Sequence, residues 1–311
     1  MAKRPLAVLG FALSAGLIVA AVAPLPAHSA STVSTPVFLA AKMVGENEVP
    51  TGGAWKVNVK PAGDEDGSAL AVFRIHGDTV SYAIRWDKVA RPNGFHIHKG
   101  NAGVNGDVVI PFFGEALPAS ALAVMGEVKV EDRALLSRIV NNPQGWYANL
   151  HNKDFPGGAV RAQLQRVRPT HLPKVLATPA KESLWTVGTG KQEVPAKGTK
   201  VGDKDGRAEW LFLLEGKKML YAAAWEKIAP PTGGHVHRGA KGENGPVQVS
   251  LFADGDGLPK SITGIAGEVS IKADLAQRIR KNPKNWYADL RTGQFPDGAV
   301  RGQLRAYNGG W

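Results

Sequence analysis

The 311-residue chain contains no cysteine. That excludes disulfides, thiolate zinc sites, iron–sulfur clusters and thiol catalysis together, and leaves His, Asp, Glu or backbone oxygen as the only metal ligands of consequence. Aromatic residues make up 7%, and no run of five or more basic residues occurs. The basic stripe with interleaved rings that reads nucleic acid is therefore missing. Gly-x-Ser-x-Gly, Walker-type and dinucleotide-binding fingerprints are also absent, which removes the commonest hydrolase, nucleotide and hydride-transfer signatures. Long apolar runs are lacking with one exception, residues 5–23. Lys3 and Arg4 precede that run, Pro24 and Pro26 follow it, and small residues fill 27–30. This is the build of a secretory signal peptide, residues 1–30. Without it the chain carries 36 bases against 27 acids, net +9, and the expected product is an extracytoplasmic protein with no membrane segment. Such a charge suits contact with an anionic envelope polymer or an extracellular protein.

What is present is repetition. Gly94-Phe95-His96-Ile97-His98-Lys99-Gly100 recurs as Gly234-His235-Val236-His237-Arg238-Gly239, and Asn105-Gly106 recurs as Asn244-Gly245. Asn142-Pro143 with Trp146-Tyr147-Ala148 returns as Asn282-Pro283 with Trp286-Tyr287-Ala288. Phe155-Pro156, Gly158-Ala159-Val160-Arg161 and Gln163-Leu164 return 140 residues later, ending at Gln303-Leu304, and Glu48-Val49-Pro50 matches Glu193-Val194-Pro195. A period near 140 residues is too long for a solenoid unit. The expected organisation is two tandem domains, 36–168 and 182–307, joined by a Pro-bearing linker over 169–181.

Within a copy the signals are those of strands. Gly 37 and Pro 21 favour many turns. Residues 69–75 are β-rich, Gly77-Asp78 turns the chain, and Val80, Tyr82, Ile84 and Trp86 alternate with Ser81, Ala83 and Arg85. Residues 108–113, 126–130, 146–150 and 159–164 continue the series. One helix per copy is expected, over 131–140 and 273–279, each beginning with acids and stopped by Asn-Pro. Short strands at about ten-residue spacing predict an all-β protein of two tandem antiparallel, Greek-key-like β-sandwich domains with one short helix in each.

The Glu-Val-Pro start, the His-x-His-x-Gly segment with its Asn-Gly, the Trp-Tyr-Ala strand and the Phe-Pro-x-Gly-x-x-Arg ending resemble the CHRD (chordin-type) domain family across nearly the whole of each copy. The resemblance implies a β-sandwich module of secreted proteins; the role expected of this chain is that of a non-enzymatic binding or envelope-associated module.

The histidines are the main chemical signal. His96 and His98, at i and i+2 on a strand, project from one face about 7 Å apart, close enough to share a metal ion. His151 is the candidate third donor, and an all-imidazole set favours copper over zinc. Copy two keeps His235 and His237 but carries Arg291 at the position of His151, so its pair is expected to be vestigial. The Gly94–His98 fragment is also similar to the copper-ligand strand of Cu/Zn superoxide dismutases. That resemblance implies, as an alternative, an exported copper-only enzyme with Arg161 guiding the anion, although the cysteine pair and the His-rich zinc loop of those enzymes are missing. Two further readings stay open: histidines that only hydrogen-bond loop carbonyls and pin the turn at 100–106, and an adhesion or protein–protein interaction module. Asn149 and Asp289 are read as charge-pair or hydrogen-bond anchors beside the cluster, and His76 as a surface residue. The acidic turns 64–67, 203–206 and 254–257 lack the distant Glu of a calcium loop.

Overall fold

The computed structural model describes residues 33–50, 62–177, 180 and 183–307. The segment read as a signal peptide, residues 1–30, lies outside the described residues. Among them the chain is all-β, with antiparallel strand pairings throughout. In copy one, β1 (Val33–Val44), β2 (Ser68–Gly77), β3 (Thr79–Asp87) and β6 (Ala121–Lys129) form one leaf of a sandwich. The other leaf has β5 (Val108–Phe113), β4 (Pro92–Lys99), β7 (Trp146–Asn152) and β8 (Val160–Gln163) side by side. The end of β1 joins the leaves along one side, where Val44 faces Arg161 in β8, and the short β9 (Gln165–Arg166) pairs with the middle of β1. The connections β3–β4, β5–β6 and β6–β7 cross between leaves, as expected of a Greek-key-like sandwich.

Copy two repeats this order. Its first leaf is β10 (Leu184–Thr189), β11 (Arg207–Glu215), β12 (Lys218–Glu226) and β15 (Ile262–Ser270). Its second is β14 (Val247–Ala253), β13 (Pro231–Arg238), β16 (Trp286–Thr292) and β17 (Val300–Gln303), and β18 (Arg305–Ala306) lies on β10.

Strand alternation explains the core. Val80, Tyr82, Ile84 and Trp86 of β3 all point inward and are buried. Phe73, Tyr82, Phe95 and Phe112, from both leaves, meet with ring centroids 4.6 to 6.0 Å apart, and each such burial stabilises by about 1.5–3 kcal/mol. Copy two fills the same space differently. Trp210 stands where copy one has Ala71, and its ring lies against Gly188, the counterpart of Met43, so one large and one small side chain have exchanged places. The expected helices are present as α1 (Arg133–Asn141), capped by Asp132 through its bond from the Leu135 amide, and α3 (Ala273–Lys281). The acidic segments are turns, with Gly67, Gly206 and Gly257 donating to the carbonyls of Asp64, Asp203 and Asp254.

The two copies joined by the linker at residues 169–181 also meet directly. Strands β6 and β15 pair edge to edge, with Val124 opposite Ile265. The contacts around them are reciprocal. Glu127 N donates to Ser261 O at 2.9 Å and Glu268 N to Ser120 O at 3.0 Å. Ser120 bonds the Leu251 carbonyl and the Tyr221 hydroxyl, while Ser261 bonds the Phe112 carbonyl and lies 3.4 Å from the Tyr82 hydroxyl. The linker forms a short helix, α2 (Pro173–Leu176), and Leu172, Val175 and Leu176 pack on Ala83, Ala123, Met125, Ala224 and Ala266 across the seam. Alanines on that face leave the room the helix occupies. Edge pairing also removes two exposed strand edges that would invite aggregation.

A side chain at Gly126 would place its Cβ 1.7 Å from the Ser261 carbonyl oxygen. Gly126→Val is therefore expected to open the seam, lowering the melting midpoint and dividing a single calorimetric transition into two. An unchanged transition would show that the seam does not hold the copies together.

Candidate metal centre

The leaf β4–β7–β8 has an apolar face toward the core, with Phe95, Ile97, Ala148, Leu150 and Val160 fully buried. The alternate residues point the other way. Cross-strand pairing sets them in rows: Gly94 with His151, His96 with Asn149 and Arg161, and His98 with Tyr147 and Gln163. On most sandwiches this face meets water. Here loops roof it, and His98, Asn149 and Arg161 are 8%, 2% and 1% exposed.

The roof is held by polar side chains from the face itself. Arg161 donates from Nη1 to Asn105 Oδ1 at 2.9 Å and from Nη2 to the Val104 carbonyl at 3.1 Å, and its guanidinium carbon lies 3.5 Å from the Tyr147 ring centroid. Tyr147 in turn stacks on His98 at 4.8 Å with 7° between the planes. Asn105 donates to the Val49 carbonyl, and Gln163 to the Gly100 carbonyl, both at 2.9 Å. Gly106 is required because a Cβ there would lie 1.7 Å from the Lys99 carbonyl oxygen. Gly158, at φ +136°, passes so close to Glu48 that a Cβ would sit 2.6 Å from its carboxylate oxygens. The repeated Asn-Gly, Phe-Pro-x-Gly-x-x-Arg and Glu-Val-Pro motifs are thus the parts of one buried scaffold. Copy two builds it again: Arg301 holds Asn244 and the Ala240 and Glu243 carbonyls 3.4 Å over Tyr287, and His237 stacks on that ring.

The structure brings His96, His98 and His151 together. Their rings lie 5.0 to 6.0 Å apart between centroids, and one donor atom from each falls within 4.8 Å of the others. His98 Nδ1 donates to the Gly106 carbonyl at 2.9 Å, and His151 Nδ1 to the Pro156 carbonyl at 3.1 Å. Each bond fixes the tautomer and leaves a lone pair on Nε2, the outer-shell arrangement of metal-binding histidines. His98 thus pins the 100–106 turn as the structural reading expected, and still has a free nitrogen. Burial, with its two histidine neighbours, holds His96 down to about 4, and burial likewise lowers His98 and His151. All three imidazoles are neutral at pH 7, so no proton need leave before a metal enters.

Five buried polar atoms of this cluster lack a partner: His96 Nδ1, His98 Nε2, His151 Nε2, Asn149 Oδ1 and Glu48 Oε1. Leaving one buried polar group unsatisfied costs about 1–3 kcal/mol, and copy two leaves two of the counterparts without a partner, His237 Nε2 and Glu193 Oε1. Burial pushes the Glu48 carboxyl up to about 8, against the pull of Arg161 and of a hydrogen bond with Asn149. The sequence reading gave Glu48 no role, and its recurrence as Glu193 was the available signal.

Copy two gathers a different set. His235 Nδ1 lies 3.2 Å from Asp289 Oδ1, His237 Nε2 3.3 Å from Oδ2, and Arg291 Nε donates to Oδ2 at 3.1 Å. Burial alone would raise the Asp289 carboxyl, but its hydrogen bond with His235 and the facing His237 ring outweigh it and hold the group well below the usual carboxylate range. Asp289 is the anchor that the sequence suggested. His76 is exposed and outside both clusters. Arg161 differs from the anion-guiding alternative: its two terminal nitrogens are engaged by the roof, and at 1% exposure it offers no face to an incoming ion.

Replacing Arg161 removes two charge-assisted bonds and strands their acceptors. Arg161→Met is expected to cost about 3 kcal/mol in urea unfolding, with Arg301→Met costing a similar amount. A near-neutral result for both would mean that the guanidinium does not hold the roof.

A family model of the CHRD domain matches residues 39–164 and again residues 185–304. No curated protein matches the chain. The two matched stretches contain both histidine clusters and almost every strand of the two sandwiches, and together they cover most of the sequence: the chain belongs to the CHRD domain family, with two tandem copies of the domain.

Proposed function

We propose that this is an exported binding protein whose first domain holds one copper or zinc ion through His96, His98 and His151. The observation that carries the reading is the convergence in copy one of three imidazoles, each with a buried nitrogen that lacks a partner, with donor atoms within 4.8 Å of one another; copy two, with Arg291 in place of the third, keeps one such histidine nitrogen, His237 Nε2. If stacking the roof were the only task of these residues, His151 would not be needed, since copy two builds the same Arg–Tyr–His stack with an arginine in its place. An all-nitrogen donor set favours copper by the Irving–Williams order. Glu48 stands beside Asn149 as a carboxyl able to ionise when a dication raises the local positive charge.

Export is supported by Lys3, Arg4 and the apolar run 5–23, and the net charge of +9 suits an anionic envelope polymer or extracellular protein as partner. A binding role is preferred to superoxide chemistry because Arg161 is committed to the loop.

Calorimetric titration of the full chain without residues 1–30 against copper(II) and zinc(II) tests the reading. One ion per chain is expected, with binding lost in His96→Ala/His98→Ala. No binding, or binding unchanged by that substitution, would overturn it.

A further inference from the structure

The two copies form an internal control. They share the Arg–Tyr–His stack, the Asn-Gly turn, the buried glutamate and the paired histidines, with His98 and His237 each bonded through Nδ1 to the Gly106 and Gly245 carbonyls at 2.9 Å. On the β7 and β16 faces next to those pairs they differ at two positions: Asn149 and His151 in copy one are Asp289 and Arg291 in copy two.

These substitutions are coupled by charge and geometry. The Asn149 amide of copy one brings no counterion to the histidines facing it, and His96 Nδ1 stays unpartnered, whereas its counterpart His235 Nδ1 meets Asp289 Oδ1 at 3.2 Å; the Nε2 atoms of His98 and His237 lack a partner in both copies. In copy two the carboxylate of Asp289, 3% exposed, stands between His235 and His237 and brings one negative charge. Arg291, two residues along the same strand, brings a positive charge beside it, with Nε on the same oxygen that faces His237. The donor atoms of His235, His237 and Asp289 also lie within 4.8 Å of one another, but a divalent ion entering between them would meet a guanidinium already paired with that carboxylate. Either substitution alone would be worse than both: Asp289 without Arg291 would be a buried charge with less compensation, and Arg291 without Asp289 would set a cation against the histidines.

We infer that the Asp289–Arg291 pair is a built-in replacement for a metal ion, so that residues 149 and 151, with their counterparts 289 and 291, decide which copy takes metal while the His-x-His pair does not. This rests on the metal reading of copy one.

Exchange of the pairs in the full chain, followed by copper(II) calorimetry, tests it. Wild type is expected to take one ion. Asp289→Asn/Arg291→His is expected to take two, and Asn149→Asp/His151→Arg none, with circular dichroism reporting the fold in each case. A folded Asp289→Asn/Arg291→His protein that stays at one ion would overturn the inference while the metal reading stands. So would an Asn149→Asp/His151→Arg protein that binds as wild type does, which decides the matter if the first variant fails to fold. Wild type taking two ions would also overturn it, and wild type taking none would remove the inference and the metal reading together.

Discussion

A sheet face that carries histidine, asparagine and arginine, and is then roofed over by loops, must satisfy its own polar groups, because water is no longer there to do so. Most of this molecule's irregular structure follows from that requirement. Arg161 answers it by reaching the Asn105 side chain and the Val104 carbonyl while lying over Tyr147. Gly106 and Gly158 exist where they do because the roof comes too close to the sheet for a side chain. The apolar face of the same strands packs in the ordinary way. The two faces divide the labour, the inner supplying stability and the outer carrying the chemistry.

Duplication lets the two copies solve the same problem by different means. Copy one leaves a group of nitrogen and oxygen atoms without partners, with His98 and His151 aimed by hydrogen bonds from their far sides to loop carbonyls. Copy two sets a carboxylate and a guanidinium among its histidines and leaves fewer atoms unpartnered. The seam between them is made of paired edge strands, reciprocal serine bonds and a helix laid over a stripe of alanines. The two histidine-bearing faces are therefore parts of one continuous sheet system rather than beads on a flexible tether.

Much of this is legible in the sequence because the sequence repeats itself. The offset near 140, the alternation along residues 80–86 and the Asn-Pro helix stops gave the sandwich, its copies and its helices, since each is a local signal. His151 is recoverable because it follows a strand that recurs next to the His-x-His motif. Three features were not legible, and all are long-range. Glu48 meets Gly158 and Asn149 only after some hundred residues of chain have folded back. Ser120 and Ser261 look like ordinary turn residues until each is set against the other copy. The linker's Leu172, Val175 and Leu176 form too short a stretch to show a helical period, and only the seam makes them a core. Arg161 was drawn toward an anion-steering role by a resemblance in motif order, whereas its neighbours give it a structural one.

The most direct measurement is an X-ray absorption spectrum of the zinc-loaded full chain at the metal edge. The account predicts a first shell containing three imidazole nitrogens at about 2.0–2.1 Å, with the imidazole outer-shell pattern lost in His96→Ala/His98→Ala. A first shell of oxygen alone, or a spectrum indifferent to those substitutions, would contradict it.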